Sequence, residues 1–244
     1  MIMPLPKIAT PSYELELPST GKTIQYRPFL VKEEKLLVIA LESEDTKQIT
    51  NAIKAVIRAC VLTKGVKVES LPTFDIEYLF LNIRGKSVGE DISVNLTCPD
   101  DNKTQVNVTI SLDDIKVKKS DEHSNKIKLD NNLMMELKYP SLNEFIKSNF
   151  DPNDTSKNPM EQSFDLVGSC IDKIYTEDDV WIAADCTKKE ITDFLDSMNS
   201  SQFKQVENFF ESMPKLTHTV KVLNPNTKVE SDIVLEGLAS FSAS

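Results

Sequence analysis

The sequence predicts an α+β chain: an N-terminal β-arm, a small helical bundle and a β-hairpin, followed by a second lobe of mixed helix and strand. Three patterns carry that prediction. Between Leu71 and Glu90 the apolar residues Phe74, Ile76, Leu79, Phe80 and Ile83 recur at helical spacing, as on a helix with one buried face. From Asp91 the period drops to two, with Ile92, Val94 and Leu96, then Val106, Val108 and Ile110, alternating with polar residues. Later in the chain, helical and strand-like stretches follow one another without an internal repeat.

In chain order, residues 1–27 read as an extended arm broken by prolines. Tyr13, Leu15 and Leu17 alternate with Glu14 and Glu16, Ser19-Thr20-Gly21 supplies a turn, and Ile24 and Tyr26 alternate again. That pattern is a hairpin, either lying on its own domain or adding to a neighbour's sheet edge. Val31 to Leu41 is a short helix whose apolar part is Leu36, Leu37 and Ile39 to Leu41. Asp45, with Gln48 three residues on, opens a second helix, along which Ile49, Ile53, Val56, Ile57 and Cys60 form one stripe until Gly65. Thr73 is placed to cap the central helix and Gly85 to end it in a left-handed turn.

Cys98 to Lys103 is the turn of the β-hairpin, with a strand-like tail around Ile115 and Val117. The charged run from Lys116 to Lys128 holds the linker, at about 119–126, between expected domains 1–118 and 127–244. The second domain is expected to open with a strand over Leu133 to Pro140. A helix capped by Ser141 and carrying Leu142, Phe145 and Ile146 follows, then a loop from Asp151 to Pro159. Phe164 to Tyr175 reads as helix and Val180 to Ala183 as a short strand or buried turn. Two helices, Glu190 to Met198 and Phe203 to Phe210, precede a terminal hairpin of Thr217 to Leu223 and Val229 to Leu235.

Composition narrows the function classes. Among 244 residues, 38 Asp and Glu outnumber 28 Lys and Arg, a net charge of −10. Phosphate backbones need concentrated cations, so no nucleic-acid partner is expected, and anionic membrane surfaces are disfavoured. No window approaches the ~20 apolar residues of a membrane span, and the prolines near the start interrupt any secretory core. A cytosolic site of synthesis is therefore expected, with Cys60, Cys98, Cys170 and Cys186 as scattered reduced thiols.

Site chemistry is sparse. Cys98 stands alone at its hairpin turn with Asp100 and Asp101, short of the four ligands zinc requires. Asp151 to Ser156 resembles the start of a calcium loop, but Ser156 and Gln162 occupy the positions where Gly and Glu are needed. Asp113 with Asp114, and Glu177 with Asp178 and Asp179, are solvated carboxylates without a His or Lys at a telling spacing. His123 and His218 belong to no catalytic arrangement readable along the chain, and there is no phosphate-cradling glycine motif. No catalytic, metal or cofactor residue and no small-molecule substrate is expected. Trp181 and the Phe209-Phe210 pair read first as core aromatics and second as interface anchors.

Three stretches are similar to one family: LPKIATPSYELELPSTGKTIQYRPFLVKEEKLLVIALES at the front, FDIEYLFLNIRGKSVGE in the middle and MPKLTHTVKVLNPNTKV near the end. They resemble the baseplate hub proteins of T-even-type contractile-tailed bacteriophages, a family that includes a hub subunit and a hub assembly catalyst. The similarity spans almost the whole chain. Some members carry a Cys-x-x-Cys pair near Cys98; here its second position is Asp101.

The resemblance implies a non-enzymatic late protein of viral tail assembly, resident in the virion baseplate and bound to other hub or tail proteins. A transient assembly chaperone absent from the particle is the alternative within that class. A metal-dependent hydrolase assembled from distant carboxylates and His218 is the alternative outside it. The contact residues expected for the leading reading are Tyr13, Leu15 and Leu17 on the arm, Phe74, Tyr78 and Arg84 on the central helix, and Phe209 and Phe210.

Overall fold

Alternation in the arm closes into strands β1 (Tyr13–Glu16) and β2 (Thr23–Tyr26), antiparallel with Tyr13 opposite Tyr26. The structure, a computed structural model, describes residues 8–142 and 159–241. Gly21 turns the hairpin at φ +67°, a conformation that favours glycine. Leu17, Ile24 and Tyr26 are buried. The hairpin is also tied down by hydrogen bonds: the Ser19 amide donates to Asp75 (3.0 Å), the Arg27 amide to the Cys60 carbonyl (3.0 Å) and the Leu62 amide to the Gln25 carbonyl (2.8 Å). From Tyr13 onward the arm is part of the core, and cutting it at Pro18 would remove a buried side chain.

Three helices follow: α1 (Val31–Glu42), α2 (Thr46–Cys60) and α3 (Thr73–Val88). Asp45 caps α2, its carboxylate accepting from the amides of Lys47 (2.8 Å) and Gln48 (3.3 Å). Along α2 the stripe resolves into buried Ala52, Val56, Ile57 and Cys60 with half-buried Ile49 and Ile53. The helix stops at Cys60 rather than Gly65, because Val61 turns extended and forms a bridge with Tyr26. The central helix, α3, continues past Gly85. That glycine is buried inside the helix, where an added Cβ would stand 2.8 Å from Leu112 Cδ1; its role is close approach. Gly89, at φ +128°, makes the turn instead.

Strands β3 (Asp91–Thr97) and β4 (Gln105–Ser111) pair antiparallel with Asp91 opposite Ser111. A separate three-stranded sheet has the order β11-β10-β5, from β5 (Lys116–Lys118), β10 (Lys215–Leu223) and β11 (Glu230–Glu236). Ile92, Val94, Leu96, Ile110, Leu112 and Ile115 share one buried cluster with Leu216, Val220, Val222, Leu235 and Phe241. The chain accordingly divides into one unit of Met1–Val68, Phe74–Val117 and Leu216–Ser244, and another of Glu69–Thr73 and Lys118–Lys215. This corrects the domain expected over 127–244. The apolar faces of the two hairpins bury each other, so the last strands leave the second unit for the first.

The second unit holds a four-stranded antiparallel sheet in the order β6-β7-β8-β9, from β6 (Lys126–Lys128), β7 (Met134–Leu137), β8 (Ile171–Tyr175) and β9 (Val180–Ile182). Among the described residues, helices α4 (Pro159–Cys170), α5 (Lys188–Asp196) and α6 (Ser200–Ser212) accompany it. Thr187 with Glu190 and Asn199 with Gln202 form capping boxes at the starts of α5 and α6. Ile127, Leu129, Met135, Leu137, Val167, Ile171, Ile174, Leu195, Val206 and Phe209 form the core. His123 is buried as well, so the expected linker about 119–126 is partly packed structure.

The helix expected over Phe164 to Tyr175 ends at Cys170 and becomes β8. Leu137 pairs with Ile171 but Glu136 with Lys173, so Asp172 is the extra residue of a β-bulge. The bulge places Ile171 and Ile174, three apart, both in the core, which in sequence imitates helical spacing. The expected helix beyond Leu142, the loop from Asp151 and the calcium-like run to Ser156 lie outside the described residues.

Candidate functional site

Of the eight expected contact residues, six lie in the first unit and two, Phe209 and Phe210, in the second. Leu17, Phe74 and Phe209 are buried and serve the core, a correction that follows from their apolar size and inward register. Phe210 is half-buried and meets Phe209 edge-on, ring centroids 5.1 Å apart. Tyr13 and Leu15 are half-exposed; the Tyr13 ring lies 5.8 Å from that of Tyr26, with Lys86 Nζ 5.5 Å from the Tyr13 centroid. Tyr78 packs on the cluster beneath the β3–β4 hairpin.

Arg84 is half-buried, and its Nη1 is buried with no hydrogen-bond partner among the described residues. Burial pushes its pKa down.

The surface that periodicity did not single out is the outer face of α1. Glu33 and Ala40 face inward, and Arg27 Nη2 holds the buried Glu33 carboxylate at 3.1 Å. Val31, Val38, Ile39 and Leu41 are large, apolar and exposed, as are Leu30 just before the helix and Leu36 within it. Lys32, Glu34, Lys35 and Glu42 are exposed on the same helix, so its outer face sets apolar side chains among charged ones. Its signal in the sequence was the unbroken apolar run from Leu36 to Leu41, longer than one buried stripe needs, which the expectation assigned wholly to an internal bundle.

Polar chemistry gathers elsewhere, at the tips of two hairpins of the first unit. Asn224 Nδ2 lies 3.0 Å from both carboxylate oxygens of Asp100 and 3.0 Å from Asp101 Oδ2. Thr227 and Thr104 add hydroxyl bonds to the same two carboxylates. These bonds hold the Asp100 and Asp101 pKa values below the ordinary carboxylate range. The beneficiary is the docking of β-turns. Cys98, buried at the same tip, has its thiol pKa raised by burial and then by the two aspartates.

Burial likewise pushes the Cys60 thiol up to about 11, so it stays protonated at neutral pH. Among the described residues no disulfide joins Cys60, Cys98, Cys170 or Cys186. His218 Nδ1 meets the backbone carbonyl of Asp114 at 3.3 Å, and His123 is held between Ser212 and Tyr139. Among the described residues no three His, Cys, Asp or Glu side chains come together as a metal site, and no helix is long and apolar enough to cross a membrane.

The profile of one protein family, T4 bacteriophage base plate protein, matches residues 10–242, nearly the whole chain. This chain is a member of that base plate family. No curated protein matches it closely enough to be counted, and neither does any solved structure. Family membership agrees with the segment resemblances. For a base plate protein the relevant geometry is that of its outer faces, and the exposed apolar side of α1 is the strongest of these in the first unit.

Proposed function

We propose that this base plate protein is a structural subunit of the tail hub, acting by contact with other hub or tail proteins and making or breaking no covalent bond. The observation that carries the reading is the outer face of α1: Val31, Val38, Ile39 and Leu41 expose apolar area that a base plate neighbour would bury. Burying such residues contributes roughly 25 cal/mol per Å² of apolar surface, and the effect requires no specific chemistry from the chain.

The test is co-expression of the full chain with the other base plate proteins of its phage, followed by isolation of the assembled complex. The triple variant Val31→Glu, Val38→Glu and Leu41→Glu changes only exposed positions, so its thermal midpoint stays near wild type while its recovery in the complex falls at least tenfold. Undiminished recovery with an unchanged fold would sink the α1 reading. Mass spectrometry of purified virions then separates a resident subunit, present at stoichiometric abundance, from a transient assembly chaperone, which is absent.

A further inference from the structure

The two edges of the second unit's sheet are built differently. Edge strand β6 is Lys126-Ile127-Lys128, with both lysines exposed, a composition that discourages strand addition. The opposite edge strand, β9, is Val180-Trp181-Ile182, with relative exposures of 62%, 48% and 51%. It carries no charge, no proline and no bulge, and among the described strands it pairs only with β8. Three successive large apolar side chains at an unprotected edge form a template for another strand.

The backbone register supports this. The Thr176 amide donates to the Asp179 carbonyl at 2.8 Å, which makes those two a hydrogen-bonded pair. Pairs alternate along an antiparallel ladder, so Trp181 directs its amide and carbonyl to Ile174, while Val180 and Ile182 direct theirs outward. The Ile182 carbonyl opens the 3-10 turn Ala183–Asp185, with Cys186 Sγ 3.5 Å away, so the groups left for a further strand are the Val180 amide and carbonyl and the Ile182 amide.

Charge selects the occupant. Glu177, Asp178 and Asp179 precede β9, Asp185 follows it, and Asp172 lies on β8; all five are exposed. The nearby cations are engaged or lie further along the chain: Lys173 pairs with Glu136 at 3.2 Å and Lys188 with Asp165 at 2.8 Å, while Lys189 is in α5. An isologous pairing of two β9 edges would set these acidic flanks against each other. Strand β1 of a second copy reads Tyr-Glu-Leu-Glu and repeats the acidic charge, and its lysine-bearing edge β6 is only three residues long and discouraged from adding to another sheet by those same lysines.

We propose that β9 accepts an extended segment from a different protein as a fifth strand. The segment alternates apolar and small polar residues and is flanked by Lys or Arg. Its backbone meets the outward amide and carbonyl of Val180 and the amide of Ile182, its apolar side chains lie beside Trp181 on one face of the sheet, and its cations meet the acidic flanks. The proposal concerns the second unit and stands whether or not the hub reading does.

Trp181 is the only tryptophan of the chain, so its fluorescence reports on this edge directly. The experiment titrates the full chain with a synthetic peptide, Lys-Lys-Val-Thr-Val-Thr-Val-Lys-Lys, and with its counterpart in which Glu replaces every Lys. The expected result is a saturable blue shift with the lysine peptide, at least tenfold weaker with the glutamate peptide and weakened by added salt. The variant Ile182→Pro removes an outward amide that β8 does not use, and Ile182→Lys protects the edge; each is expected to weaken binding at least tenfold without unfolding the protein. Equal affinity for the two peptides, no shift with either, or a shift that follows protein concentration alone and signals self-association would each overturn the proposal.

Discussion

Asn224 donates its side-chain amide to both carboxylate oxygens of Asp100, each at 3.0 Å, across 124 positions of sequence. The bond joins the turn between β10 and β11 to the turn between β3 and β4. It is made by an asparagine that is 1% exposed. A buried amide must find partners, and here the partners are the two aspartates of the β3–β4 turn.

Replacing Asn224 with Ala leaves Asp100 and Asp101 with fewer donors and frees one hairpin tip from the other. The thermal midpoint is expected to fall by a few degrees, about what ~1–2 kcal/mol produces in a chain of this size. The pH dependence has a definite sign. Both carboxyl pKa values are lowered on folding from an ordinary 3.8, so the stability they contribute is complete above that value and is lost as pH falls through the folded values. Midpoints measured from about pH 5 to about pH 2 should fall less in Asn224→Ala than in the wild type.

Beneath α1, Arg27 and Glu33 form an ion pair with little solvent, at 15% and 6% side-chain exposure. Burial raises the Glu33 pKa, but hydrogen bonds from Arg27 and the Leu30 amide, with the Arg27 charge, outweigh it and bring it below the usual value. Arg27→Met strands the carboxylate with exposed Lys32 as its remaining cation. A loss of roughly 3–5 kcal/mol in urea denaturation is expected, most of it recovered in the double variant Arg27→Met, Glu33→Leu.

His123 stacks on Tyr139, ring centroids 5.6 Å apart, with Nε2 3.0 Å from the Tyr139 hydroxyl and Nδ1 2.9 Å from Ser212 Oγ. Burial, and then Lys119, hold its pKa below the ordinary 6.5, so the folded state favours the neutral ring. Its contribution is complete above 6.5 and is lost as pH falls through the folded value. Urea midpoints taken at pH steps between about 7.5 and 5 should show that loss in the wild type and not in His123→Gln.

The neighbouring phenylalanines separate core from surface. Phe209 is 2% exposed and touches His123, Tyr139 and Phe210, whereas Phe210 is half-buried. Phe209→Ala is expected to cost roughly 3–5 kcal/mol, and Phe210→Ala less than half of that, measured by chemical denaturation.

Local patterning was legible where one segment decided its own state. The β1–β2 hairpin, the Asp45 cap of α2, the alternation of β3 and β4, and the helical stretches of α5 and α6 all follow from residues a few positions apart. Bulged β8 was misread because its extra residue, Asp172, converts strand spacing into helical spacing, and a bulge is defined only by the partner strand. Gly85 was misread for a related reason: its small size answers Leu112, which arrives from another element.

The amino-acid order by itself determined the mixture of helix and strand, the hairpins, the caps and the acidic balance, since these depend on period, turn chemistry and charge along the chain. Tertiary structure alone decided that Lys215 to Glu236 completes a sheet with β5, that Phe74 and Phe209 are core, and that α1 and β9 keep apolar residues outside. Whether an apolar side chain is covered depends on what distant segments bring to it, and that cannot be read from its neighbours in sequence.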